Sequence, residues 1–125
     1  MRLLGIDYGE KRIGIALSDD KAMMAFPHSV IDASKDPVAV VEKLAKGQGV
    51  KKLIIGDSRD YSGRANKIML LARPFAEALA QKGFEIVFES ELLTSHQASH
   101  FQGKNVMTDA SAASIILQSY IDRVK

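Results

Sequence analysis

Several carboxylates in this chain stand where an apolar run stops, and packing gives no reason for an acid to be there. Asp7 ends the run Leu3 to Ile6 and opens a polar, glycine-containing connection, Asp7-Tyr8-Gly9-Glu10-Lys11. Asp109 precedes Ala110-Ser111-Ala112-Ala113-Ser114-Ile115-Ile116-Leu117. There Ala113, Ile116 and Tyr120 form a stripe at helical spacing, which sets Asp109 on or near the packed face, at the positive end of the helix dipole. Glu89 and Glu91 follow a strand-like run and share parity with Val87. Acids that converge from separate elements suit magnesium-like ions, because hard cations take oxygen ligands. Paired ions about 3.5–4 Å apart stabilise the attacking and leaving oxygens when a phosphodiester is hydrolysed. Each acid also has an ordinary role. Asp7 suits a turn that bonds its own backbone, Asp109 suits a helix start, and Glu89 and Glu91 suit solvated charges at a strand exit. Taken one at a time, the acids leave both roles open.

The elements that must position them follow from periodicity. Leu3 to Ile6 and Ile13 to Leu17, joined by the polar connection with Gly9, read as a β-hairpin. In its second strand Ile13, Ile15 and Leu17 alternate with Gly14, Ala16 and Ser18, so one face is bulky and the other small. Roughly Ala25 to Ile31 is a third, weaker strand, and Pro27 makes it an edge or irregular one. Asp36-Pro37 starts a helix whose stripe is Val38, Val41, Leu44 and Ala45, with Gly47 as its stop. Leu53 to Gly56 is a buried strand, and Arg64 to Gln81 is a helix ended by Gly83 and kinked or divided at Pro74. Phe84 to Phe88 is a fifth strand, Thr94-x-x-Gln97 starts a further helix, and Asp109 to Arg123 is the last one. The order β-β-β-α-β-α-β-α-α predicts an α/β fold, a mixed sheet with helices on its faces.

Composition narrows the classes. With 125 residues, 46% of them hydrophobic and 26% charged, a single domain over 1–125 is expected. A net charge of +2 permits a nucleic-acid partner without demanding one. There is no cysteine, which excludes disulfides, thiolate zinc sites and cysteine nucleophiles. No apolar stretch approaches the roughly 20 residues of a membrane span, and an acid stands where a signal peptide stays apolar. A cytoplasmic location is the expectation. His96 and His100 have the i, i+4 spacing that can hold zinc, but no third ligand is evident, and exposed helix histidines explain them as well.

The segment from Leu4 to Asp19, Leu-Gly-Ile-Asp-Tyr-Gly-Glu-Lys-Arg-Ile-Gly-Ile-Ala-Leu-Ser-Asp, closely resembles the opening motif of the YqgF/RuvX family. These are Holliday-junction-resolvase-like proteins of the RNase H superfamily, assigned as nucleases that process the precursor of 16S ribosomal RNA. Asp109 to Tyr120 resembles the family's terminal helix, and Ile55-Gly56 with Gly63, and Glu91 to Ser95, match internal motifs more loosely. The resemblance implies an RNase H-like mixed five-stranded sheet flanked by helices. It implies that Asp7, Glu91 and Asp109 are the catalytic and metal-binding acids, with Mg2+ or Mn2+ activating water. It places Arg12 near substrate phosphates; a solvated hairpin charge is the ordinary alternative. Lys104, beside Gly103 and Asn105, is a further candidate for phosphate contact, or an exposed loop lysine. Implied partners are precursor rRNA, branched DNA and ribosomal assembly particles, with the protein a monomer or weak homodimer.

Two departures bear on the site. The family usually carries Asp-Glu-Arg before its Leu-Thr, where this chain has Ser90-Glu91-Leu92, and Gly-Leu-Pro after its fourth strand, where it has Gly56-Asp57-Ser58. Asp57 is therefore an extra acid at a strand end, expected to assist metal binding or to form an Asx-turn. The competing functions are a Holliday junction resolvase and a non-catalytic nucleic-acid or ribosome-assembly module. A sugar-kinase or actin-like ATPase also opens on a Gly-x-Asp-x-Gly hairpin, but it needs a second half-domain for which this length leaves no room.

Overall fold

The structure is a computed structural model that describes residues 1–57, 67–90 and 109–124. The chain opens with the expected hairpin, β1 (Leu3–Tyr8) and β2 (Arg12–Ser18), in which Leu4 faces Leu17 and Tyr8 faces Ile13. Gly9 is required in its turn, because a Cβ there would lie 2.3 Å from the carbonyl oxygen of Arg12. The third strand, β3 (Ala25–Asp32), pairs with β2 and lies at the sheet edge. Pro27 falls where the register shifts between Ile15 and Ala16, a bulge on an edge, which is where a residue without an N–H fits a ladder.

Next come α1 (Pro37–Gly47), β4 (Lys52–Asp57), α2 (Lys67–Gln81), β5 (Glu85–Ser90) and α3 (Asp109–Val124). Strands β4 and β5 run parallel to β1, giving a five-stranded mixed sheet in the order β3-β2-β1-β4-β5. Alternation splits the strand residues between two cores. Ile6, Ile13, Ile15, Leu53 and Ile55 pack against Val41 and Ala45 of α1 and Phe75 and Leu79 of α2. Leu3, Ala16 and Ile54 pack against Ala113, Ile116, Leu117 and Ile121 of α3. No described helix is long and apolar enough to cross a membrane.

Local chemistry explains the element ends, with some corrections. Asp36 caps α1 through its side chain, which accepts from the Ala39 amide, and Pro37 takes the first helical position. The stop expected at Gly47 falls later. Gly47 is the last helical residue, and the chain reverses at Gly49 with φ +71, so that the Val50 amide reaches the Ala45 carbonyl. Pro74 does not divide α2. The amide it lacks would have bonded the carbonyl of Leu70, one turn back on the same exposed side, where water can take that role. The helix expected from Thr94, and the segment around Gly103, lie outside the described residues.

Glu89 is neither a solvated charge nor an acid at an open edge. Its side chain is 3% exposed, and its carboxylate accepts from Ser119 Oγ at 3.0 Å and from Arg123 Nη2 at 2.7 Å. The acid holds the Arg123 guanidinium even more firmly protonated than usual and ties β5 to the last turn of α3. Removing the cation leaves an ionised carboxylate in the core with too few donors. Arg123→Ala is therefore expected to lower the urea midpoint, and Arg123→Ala combined with Glu89→Gln to recover part of that loss. Additive destabilisation in the double variant would show that the pair is not coupled.

Candidate active site

The site begins with the parity of the hairpin. Leu3, Gly5 and Asp7 of β1, and Gly14, Ala16 and Ser18 of β2, share the face that α3 covers. Asp7 and Gly14 are direct cross-strand partners, which places their Cα atoms about 4.5–5.5 Å apart. Glycine at 14 leaves a gap in that face, and α3 fills it with its own backbone. A Cβ added to Gly14 would lie 1.9 Å from the carbonyl oxygen of Asp109. One turn further on, a Cβ at Gly5 would lie 2.7 Å from Leu117 Cβ and 3.0 Å from the Ala113 carbonyl oxygen. The helix therefore lies directly on the strand backbones, and its first residue is seated beside Asp7.

Arg12 completes this corner. It sits two residues before Gly14 with the same parity, and its Nε donates to Asp109 Oδ2 at 2.9 Å. The pair is open, with side chains 67% and 37% exposed, so solvent screens it and it adds about 1 kcal/mol at most. Asp109 is also the first residue of α3, where the helix dipole favours a negative charge. The Arg12–Asp109 pair thus lies at the carboxyl end of the central strand β1, next to the strand position of Asp7.

Asp57, by contrast, starts from the opposite face of the sheet. It shares parity with Leu53 and Ile55, which belong to the core under α1 and α2, while Gly56 continues the parity of Ile54 on the Asp7 side. The reason is a shift of one position. In the β1–β4 register Ile6 faces Ile55, so the residue level with Asp7 is Gly56 rather than Asp57. Glu91, Lys104, Thr94, His96 and His100 lie outside the described residues. Among the described residues, no three acids or histidines come together as a metal cluster. The donor set still fits a divalent cation, because one or two carboxylates are what magnesium usually takes from a protein. They arrive here on a strand end and a helix N-terminus, seated by the glycine cradle.

Gly14 and Gly5 are parts of the site that their positions in the chain do not mark as such. The signal was present, since Gly14, Ala16 and Ser18 already marked a small face, but a small face does not say which helix will lie on it.

A five-stranded mixed sheet in this order, with this hairpin and this terminal helix, defines an RNase H-like α/β domain. Thermus thermophilus RuvC in complex with a Holliday junction substrate shares the fold with a TM-score of 0.64 over 99% of this chain and 96% of that one, at 12% identity. The fowlpox virus resolvase bound to Holliday junction DNA aligns with a TM-score of 0.54 over 99% of each chain, at 9% identity. These two likenesses concern the fold. The chain belongs to the RuvX family, described as Holliday junction resolvases, whose family model matches residues 1–123. A relative from Syntrophus aciditrophicus, provisionally named a pre-16S rRNA nuclease, is 31% identical over 99% of this chain and 90% of its own length. A relative from Pelotomaculum thermopropionicum with the same provisional name is 33% identical over 98% of this chain and 87% of its own length.

The Gly14 contact is open to a direct test. Gly14→Ala forces backbone apart at the start of α3 and is expected to cost about 1–3 kcal/mol in urea unfolding. Gly47→Ala, in a helix with nothing within 4 Å, is the control and is expected to be neutral or to stabilise by about 0.5–1 kcal/mol. Equal stability of the two variants would overturn the close approach of α3.

Proposed function

We propose that this protein is a divalent-metal-dependent endonuclease acting on structured nucleic acid, with precursor 16S rRNA as its substrate and ribosome biogenesis in the cytoplasm as its setting. Family membership carries the class, hydrolysis of nucleic-acid phosphodiester bonds. The observation that carries the site is the seating of Asp109 over Gly14, beside Asp7. Asp7 and Asp109 hold the cation, and Glu91, which follows the end of β5, is the third acid. Magnesium or manganese, when bound, supplies charge stabilisation at the reacting phosphate and lowers the pKa of an attacking water. The protein's own part is positional. Asp7 stands on the central strand, hydrogen-bonded on both sides, so its carboxylate has a fixed origin. Asp109 is fixed because the helix that carries it cannot slide without striking the strand backbone. Arg12 is exposed and reaches outward to pair a substrate phosphate, with Lys104 as a second phosphate contact. Asp57 is left outside the ligand set because it starts from the opposite face.

A second reading, resolution of four-way DNA junctions, is favoured by the family description and by the fold it shares with RuvC. Symmetric cleavage of a junction calls for a two-fold dimer presenting two sites, whereas rRNA processing needs only a monomer.

One experiment covers both. Wild type, Asp7→Asn and Asp109→Asn are incubated with precursor 16S rRNA fragments and with four-way DNA junctions, with and without magnesium or manganese. Cleavage of the rRNA precursor that requires metal is expected. Loss of an outer-shell partner already lowers metal-site activity about 10–100-fold, so loss of either ligand is expected to cost about 100-fold or more. Undiminished cleavage by Asp7→Asn would falsify the mechanism. Binding without cleavage, indifferent to magnesium and to Asp7→Asn, would make the protein a non-catalytic binding module.

A further inference from the structure

We infer that the Arg12–Asp109 ion pair is an exchange contact, in which the guanidinium and the divalent cation compete for one carboxylate and cation binding releases Arg12 towards a phosphate of the substrate. The inference rests on the metal reading above and adds how the site is regulated.

The pair has the geometry of a contact made to be given up. It is made through Arg12 Nε at 2.9 Å rather than through a buried two-pronged grip, and both side chains are substantially solvent-exposed. Opening it leaves neither charge stranded in the core, in contrast to Glu89–Arg123, where the acid is 3% exposed. Asp109 is also the natural resting partner for Arg12. The cross-strand neighbour of Arg12 is Asp32, but the Asp32 carboxylate accepts from the Ser34 amide at 2.8 Å and from the Ser34 hydroxyl at 2.6 Å. Glu10, on the same hairpin, pairs with Lys67 at 3.5 Å.

The competition follows from charge. A divalent cation on either oxygen of Asp109 would sit roughly 4–5 Å from a guanidinium still bonded to the other oxygen, where the two positive charges repel. Arg12 then does better on a substrate phosphate, which offers the paired oxygens that a guanidinium matches. Because each event removes a competitor of the other, cation binding and phosphate binding strengthen one another, and by linkage the coupling is equal in both directions.

The test needs no nucleic acid and no turnover. The Arg12 Nε–Hε resonance of 15N-labelled protein is followed during a magnesium titration, with the metal-free Asp109→Asn protein marking the position of a released Arg12. Magnesium affinity is measured calorimetrically for wild type, Arg12→Gln and Asp7→Asn. The resonance is expected to move to the released position along the same curve as magnesium binding. Arg12→Gln is expected to bind magnesium about two- to fivefold more tightly, the range an exposed ion pair can supply. If Asp7→Asn abolishes magnesium binding while the Arg12 signal stays put and Arg12→Gln binds as wild type does, the exchange is overturned and the metal site stands. If magnesium binds none of the proteins, the metal reading fails and the exchange with it.

Discussion

The contact on which the rest of this molecule depends is backbone against backbone, where the first turns of α3 lie on Gly14 and Gly5. A helix normally stands off a sheet by the thickness of two side-chain layers. Here the strands' own layer is absent at Gly14 and Gly5, so the helix settles onto the hairpin, while Ile54, Ile116, Leu117 and Ile121 fill the space further along. The arrangement gives up some apolar area near the corner that carries Asp7 and Asp109 and fixes the position of the helix there. Because interiors are close-packed, even one added methyl group at Gly14 has nowhere to go.

Both ends of α3 are held, by different physics. The start is set by steric contact and by an open ion pair with Arg12. The far end is set by the buried Glu89 carboxylate, which gathers Ser119 and Arg123, and by Tyr120, whose hydroxyl accepts from Lys52 at 3.3 Å. Tyr120 also lies under both cations, with Lys52 and Arg123 5.8 Å and 5.4 Å from its ring centre. A helix pinned at its last turn and wedged at its first has little freedom to carry Asp109 away from Asp7. The two ion pairs differ in kind for that reason: the buried one fixes a position, and the exposed one is free to change partners.

The departures from the family pattern at Ser90 and Leu92 take on a physical setting. Ser90 ends β5, opposite Asp57 of β4, and the acid just before it, Glu89, is committed to the core. Glu89 is thus taken up by Ser119 and Arg123, and Asp57 starts from the face of β4 that carries Leu53 and Ile55. Asp7 stands on the central strand and Asp109 at the helix start seated over Gly14, on a constrained part of the fold.

Much of this was legible in the chain itself. Alternation in Ile13-Gly14-Ile15-Ala16-Leu17, the Asp36-Pro37 cap and the apolar run Leu53 to Ile55 are local signals, and each formed the element it announced. Family membership, and with it Asp7, Asp109 and Arg12 as candidates, was readable from the motif Leu4 to Asp19 and the terminal helix. Outcomes that depend on what another element brings were not readable. Pro74 stays within α2 because the carbonyl it deprives lies on the solvent side, and Glu89 turns inward because Arg123 is waiting there. Asp57 falls on the far face because the parallel register, set by packing between β1 and β4, puts Gly56 level with Asp7. The sequence by itself determined which residues have the chemistry. Only the tertiary structure decided which of them meet, because a missing side chain on one strand has meaning only once a particular helix fills the gap.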